Sequence, residues 1–330
     1  MNTNLYTIAR QMVADNKGLL AADESTGTIQ KRFDGIGVEN TEDNRRAYRE
    51  LLFTTPGFEQ HVSGVILYDE TIRQSTHDGV LFVDVLKRIG VLPGIKVDLG
   101  TELFRDSSTE VVTKGLDGLA ERLVEYARLG ATFTKWRAVV TIGEGIPTDE
   151  CIRENMVRLA QYAKLVQEAG MVPIVEPEVL MDGAHSLQTC KEVTLSVQYT
   201  LFEELERIGV DLKGIILKPN FVVPGKESGE VFDPVVSAKE TLDVLGETTP
   251  LEVPGVMFLS GGLSDTDAVD ALREINRLRE EHMWKLSFSY GRALQTAVLK
   301  AWGGKSENVP AAQSAFLEQA RRNSEACAKK

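Results

Sequence analysis

Gly214-Ile215-Ile216-Leu217-Lys218-Pro219 sets three large apolar side chains in a row, follows them with an amine and closes on a proline. An apolar run this short, bounded by Gly and Pro, fits a buried strand, because proline cannot donate to a ladder and marks the strand's end. The same shape recurs on both sides. Upstream, candidate strands lie at Val172–Val175, Thr132–Trp136, Gly94–Val97, Gly64–Tyr68 and Gly18–Ala22; downstream, at Val256–Leu259 and Leu286–Phe288. They succeed one another at about 30 to 45 residues with helix-like periodicity between them, the spacing of successive βαβ units. About eight units predict an α/β fold of the closed (β/α)8 kind, a TIM barrel.

The intervening helices show in their faces and punctuation. Ile152, Met156, Leu159, Ala160, Ala163 and Val166 keep to one side of a helix capped by Thr148 and stopped by Gly170. Ser186 opens another helix that ends before Gly209, and Ser264 with Asp267 three residues on resembles a capping box for a helix through Leu278. Two further helices, Asn4–Asp15 and Ala311–Ala326, fall outside the eight units and are expected as additions at the two ends. No Pro/Ser-rich linker or composition shift marks a boundary, so residues 1–330 are expected to form one barrel domain. A doubly wound open sheet would carry G-x-G-x-x-G after its first strand, and none succeeds Ala22.

Bulk properties narrow the function. With 330 residues, 42% of them hydrophobic, the chain can bury a sizeable core. A net charge of −12 and a pI near 5.0 argue against a nucleic-acid partner, while a basic pocket for a small anion stays compatible. Cys151, Cys190 and Cys327 are odd in number and far apart, which suits a reducing cytoplasm and suggests neither disulfides nor a thiolate metal site. Met1 to Val13 has no signal-peptide pattern, and no run approaches the roughly 20 apolar residues of a spanning helix, so neither export nor a membrane is expected. His61, His77, His185 and His282 share no ligand spacing, and no metal or cofactor is expected.

Polar groups stand at the end of each apolar run: Asp23, Lys96, Lys135 with Arg137, Glu176 with Glu178, Lys218, Ser260, and Ser289 with Arg292. In a (β/α)8 barrel all strands open on one face, and that face carries the active site. For any single position a wet loop explains a polar residue equally well; convergence is what counts. Lys218 is poorly solvated after its apolar run, and desolvation favours the neutral amine that attacks a carbonyl to give a Schiff base. A lysine snorkelling its ammonium into water is the alternative. Strand alternation sends Phe133, Lys135 and Arg137 to one face and Thr134 and Trp136 to the other, and likewise aligns Glu176 with Glu178. These carboxylates can move protons or join the cations in a buried ion-pair network. Leu259-Ser260-Gly261-Gly262 after the seventh strand and Phe288-Ser289-Tyr290-Gly291-Arg292 after the eighth sit where barrels bind phosphate, with backbone N–H groups exposed by glycine and Arg292 as a charged fork.

The stretches Leu20-Ala21-Ala22-Asp23-Glu24-Ser25-Thr26-Gly27, Gly94-Ile95-Lys96-Val97-Asp98, Lys135-Trp136-Arg137, Ile174-Val175-Glu176-Pro177-Glu178, Leu217-Lys218-Pro219-Asn220 and the two phosphate-loop motifs resemble the class I fructose-bisphosphate aldolases, collinearly from about Lys17 to Cys327. The resemblance implies a Schiff base between Lys218 and the ketose carbonyl, Lys135 assisting carbinolamine formation and dehydration, and Glu176 as principal general acid/base. It implies Asp23 at the C4 hydroxyl, with Lys96, Ser25 and Arg137 holding the sugar phosphate and Glu178 supporting the lysines. Ser260, Gly261, Ser289, Gly291 and Arg292 would take the phosphate of the dihydroxyacetone half. A homotetramer acting on small sugar phosphates is implied too. Many members continue into a flexible tail ending in tyrosine; here no tyrosine comes after Tyr290, so the proton exchange assigned to that tail is expected to be slower or served by another group. Another Schiff-base aldolase, or a sugar-phosphate sensor or scaffold, is the competing reading; a sensor has no need of Asp23, Lys135, Glu176 and Lys218 together.

Overall fold

A computed structural model describes residues 3–328; Met1, Asn2, Lys329 and Lys330, which the one-domain expectation includes, lie outside them. Eight parallel strands close into a barrel: β1 (Gly18–Ala22), β2 (Val62–Leu67), β3 (Leu92–Lys96), β4 (Phe133–Val140), β5 (Val172–Val179), β6 (Ile216–Leu217), β7 (Gly255–Phe258) and β8 (Lys285–Tyr290). Each pairs with its sequence neighbours, and β1 pairs with β8 to complete the ring. Every expected strand is present, but β4 and β5 run past their expected ends. The sequence reading stops at Trp136 and Val175, just before Arg137 and Glu176, whereas the ladder continues through Arg137↔Glu176 and Val139↔Glu178 into the polar mouth. β6 is shorter than expected because Leu212–Gly214 forms a 3-10 turn before it and Pro219 ends it. Lys218 nonetheless stays on the ladder, its N–H donating to Val175 O at 2.8 Å. A small antiparallel pair, Thr101–Leu103 with Val111–Thr113, lies outside the barrel and carries no apolar run that would have announced it.

Inside the barrel, Leu19, Ala21, Ile66, Phe133, Val172, Ile174, Ile216 and Met257 form a core of their own, joined from the N-terminal end by Leu5, Ile8, Ala9, Met12 and Val13. The helix Thr3–Met12 thus plugs the barrel floor. It ends three residues short of the expected Asp15, and Asn16 turns the chain with φ +57. Glycine makes this closure possible: a Cβ on Gly255 would lie 2.5 Å from Val13 Cγ1. The larger core packs the outer helices against the strands. Helix Asp149–Glu168 buries the expected face, its Thr148 cap accepting from Cys151 N, and Gly170 at φ +78 lets Met171 N reach back to Val166 O. Helix Leu187–Arg207 starts on Ser186 as expected. Helix Asp265–Leu278 has only half of the expected capping box: Ser264 Oγ accepts from Asp267 N, but the Asp267 carboxylate takes the Ser264 hydroxyl at 2.7 Å instead of the backbone N–H, since aspartate is one methylene too short to reach it. The C-terminal helix runs Val309–Ala326, two residues longer than expected, with Pro310 in its first turn.

Candidate active site

Strand alternation at the barrel mouth determines which side chains meet. Thr134 and Trp136 point outward, where Tyr162 hydrogen-bonds the first at 2.6 Å and stacks on the second at 5.4 Å. Phe133, Lys135 and Arg137 therefore face the barrel axis, as expected, and β5 sends Ile174, Glu176 and Glu178 the same way. The result is one cavity of about 610 Å³ at the C-terminal face. It brings together every residue singled out from sequence: Asp23, Ser25, Lys96, Lys135, Arg137, Glu176, Glu178, Lys218, Ser260, Gly261, Ser289, Gly291 and Arg292.

At the bottom of this cavity Lys218, Glu176 and Lys135 are buried, at 3%, 4% and 5% exposure, which disposes of a lysine snorkelling into water. Lys218 Nζ lies 3.0 Å from Glu176 Oε1, and Lys135 Nζ lies 3.5 Å from Glu176 Oε2 and 2.6 Å from Asp23 Oδ2. Burial works against ionisation of Asp23, but Lys135, then Lys218 and Lys96, overcome it and hold the carboxyl far below the usual carboxylate range. Burial likewise opposes the Lys135 charge; Asp23, Glu176 and Asp98 reverse that and push its pKa up. Two carboxylates and two amines thus interlock in a site too dry for any of them to be left unpaired.

Nearer the rim, Glu178 joins a cation as its spacing allows but departs from what the resemblance implies. It pairs with Arg137 Nε and not with a lysine, because the β4–β5 register sets Glu178 opposite Val139, beyond the level of Lys135. Burial opposes the Arg137 charge, yet Glu178 raises its pKa. Lys96 is held by Asp98, 2.6 Å from its Oδ1. Across the cavity, Gly261 and Gly262 have φ +54 and +102, and Gly291 caps the helix Arg292–Trp302. Such turns aim backbone N–H groups and a positive helix end at the opening. Ser289 Oγ is buried beside them with no hydrogen-bond partner.

Glu24, Thr28, Arg32 and Asp98 are among the lining residues that the sequence does not single out. Asp98 had a usable signal, since it stands two residues after Lys96 and shares its side of the chain. Thr28 and Arg32 sit one turn apart on helix Thr26–Asp34, with Ser25 at its start. Glu24 gave none; it is buried against Arg32, Arg49 and Gln295, contributed by three separate helices.

Known proteins match this chain along nearly all of its length. The family model described as fructose-bisphosphate aldolase class-I matches residues 4–330. Fructose-bisphosphate aldolase 4, cytosolic, of Arabidopsis thaliana is 55% identical over 94% of this chain and 79% of its own. The cytoplasmic isozyme of Spinacia oleracea is 53% identical over 98% and 90%, and the probable class 1 enzyme of Xanthomonas campestris 50% identical over 97% and 96%. A solved fructose-bisphosphate aldolase from Plasmodium falciparum, crystallised with TRAP and a small-molecule inhibitor, superposes with a TM-score of 0.97 at 46% identity, covering 99% of this chain and 94% of that one. Agreement of this breadth, over a barrel whose mouth gathers the residues of the collinear motifs, leaves one conclusion: the chain belongs to the class I fructose-bisphosphate aldolase family.

Proposed function

We propose that this protein cleaves fructose 1,6-bisphosphate reversibly to dihydroxyacetone phosphate and glyceraldehyde 3-phosphate through a Schiff base on Lys218. The observation that carries the reading is the Glu176 carboxylate set between two buried lysines, 3.0 Å from Lys218 and 3.5 Å from Lys135. Imine formation needs an amine and, within reach, groups that pass protons to and from the carbinolamine oxygen. Lys218 Nζ adds to the ketone carbon; Lys135 and Glu176 deliver the protons with which that oxygen departs as water, leaving a protonated imine. Asp23 takes the proton of the C4 hydroxyl, the C3–C4 bond breaks, its electron pair passes into the imine, and glyceraldehyde 3-phosphate leaves. Protonation of the enamine at C3 and hydrolysis of the imine release dihydroxyacetone phosphate and return Lys218.

In the same reading Lys96, Ser25 and Arg137 orient the sugar phosphate, with Glu178 steadying Arg137. Ser260, Gly261, Ser289, Gly291 and Arg292 take the phosphate on the dihydroxyacetone half, for which an unpartnered buried hydroxyl on Ser289 is well suited. We read residues 1–330 as one domain acting in the cytoplasm, in keeping with the names of the plant relatives. A homotetramer is the assembly proposed.

Borohydride reduction with dihydroxyacetone phosphate in EDTA, with intact-mass and peptide mapping of the product, tests the mechanism. A reduced adduct on Lys218 is expected. Folded protein giving no adduct, or one on another lysine, would overturn the assignment.

A further inference from the structure

Glu24 lies directly behind Asp23, and its carboxylate is divided among three partners. Oε1 is ion-paired with Arg32 Nη1 at 2.7 Å and accepts from Gln295 Nε2 at 2.9 Å, while Oε2 accepts from Arg49 Nη2. Gln295 also donates to Ala21 O at 2.9 Å, and its own oxygen accepts from Tyr48 OH at 3.0 Å and from Arg49 at 3.4 Å. The cluster therefore ties the end of β1 to helix Arg292–Trp302, whose first turn forms the glycine-rich side of the cavity.

Its charges do not balance. One carboxylate serves two guanidinium groups, and among the described residues Glu24 is the carboxylate with which Arg49 pairs. Arg49 is sealed in, its side chain 3% exposed, whereas Arg32 reaches the cavity at 18%. The positive charge in excess can thus be met from the cavity only at Arg32. The Arg32 guanidinium is already aimed at the glycine-rich side: a Cβ built on Gly291 would lie 3.6 Å from Arg32 Nη2.

We propose that Arg49 is a positioning residue for anion binding: by occupying Glu24 Oε2 it lets Glu24 hold Arg32 in place without neutralising it, so that Arg32 meets a ligand phosphate beside Gly291. The inference rests on the aldolase reading above for the identity of the physiological ligand. Its physical content is wider, because any phosphate-bearing molecule entering the cavity would encounter the same uncompensated cation. A buried Arg–Glu pair with a purely structural role would stabilise the fold and leave anion affinity alone.

Calorimetric titration of the full chain with inorganic phosphate at fixed ionic strength, alongside KM and kcat for fructose 1,6-bisphosphate, separates the two. Arg49→Met is expected to weaken phosphate binding about tenfold or more, the weight of one charge-assisted hydrogen bond, with KM rising in step and kcat falling by a smaller factor. Arg49→Lys keeps the charge and should bind phosphate close to wild type. Glu24→Gln keeps the shape, removes the shared negative charge and should bind phosphate more tightly. An unchanged phosphate affinity in Arg49→Met, an Arg49→Lys as weak as it, or a weakened Glu24→Gln would each overturn the proposal. Should Arg49→Met fail to fold, the direction of the Glu24→Gln change decides. A wild-type chain that binds phosphate but does not cleave the bisphosphate would sink the aldolase reading and leave the phosphate titrations as an independent test of Arg49.

Discussion

Glu176 Oε1 stands 3.0 Å from Lys218 Nζ, close enough to exchange a proton with whatever replaces a hydrogen on that nitrogen. The other oxygen, Oε2, has no hydrogen bond, only the 3.5 Å approach of Lys135. One oxygen is therefore committed to Lys218, while the other is buried with only the Lys135 ammonium near it. Glu176→Gln preserves shape and removes the proton acceptor, and should lower kcat by about 10²- to 10⁴-fold, the usual weight of a positioned acid/base. Steady-state cleavage assays on folded variant would read this; near-normal turnover would move proton transfer to another group.

Asp23 ties stability to pH. Burial disfavours its charge, but Lys135, Lys218 and Lys96 together hold its folded-state pKa well below the unfolded value of about 3.9. A depressed carboxyl contributes stability that is fully present above the unfolded pKa and is lost as pH falls toward the folded one. Asp23→Asn cannot take up that proton. It should be less stable than wild type at pH 7, where Lys135 loses its nearest counter-charge, and the gap should narrow on acidification below about pH 4. Urea unfolding across that range gives the answer; two parallel curves would mean that the Asp23–Lys135 pair, 2.6 Å apart, is not what acid breaks.

Much of this arrangement is legible in the sequence because a barrel converts period-two alternation into convergence. Phe133, Lys135 and Arg137, or Glu176 and Glu178, can be assigned a common direction from spacing alone, and the strand count then brings them to one mouth. Which neighbour each one finds depends on inter-strand register, to which a single strand's pattern is blind; spacing leaves Glu178 open to either cation and the resemblance assigns it to the lysines, whereas its partner is Arg137. Strand ends escape the sequence for a related reason: at a polar barrel mouth the ladder outlasts the apolar run, as at Arg137 and Glu176. Least legible is the cluster around Glu24. Arg32, Arg49 and Gln295 come from three helices, and no local pattern in the chain says that they meet.

Inside the barrel, glycine is a packing requirement. A Cβ on Gly94 would come within 2.2 Å of the Phe133 ring, so β3 must present a bare backbone where β4 sends its largest inward side chain. Gly94→Ala should destabilise the protein by about 1–3 kcal/mol through overpacking. Phe133→Leu combined with it should recover part of the loss, since the smaller side chain leaves the ring's space to the new methyl group. Chemical denaturation of the single and double variants measures the coupling, and simple additivity would show that the clash is relieved some other way.

Ser289 separates the demands of folding from those of binding. Its hydroxyl lies at the cavity wall and makes no hydrogen bond to another residue of the chain. If that hydroxyl serves the ligand phosphate, Ser289→Ala should raise KM about tenfold and leave the unfolding free energy of the unliganded protein unchanged within about 0.5 kcal/mol. A loss of affinity with no loss of stability is what no general loosening of the site would produce. A variant that loses stability while keeping KM would assign the hydroxyl to the fold and detach it from phosphate binding. Because Ser289 lies between Phe288, buried among the outer core, and Gly291, the cap of helix Arg292–Trp302, the same substitution also tests whether the eighth strand delivers the anion grip through its side chain or only through the backbone turn beyond it.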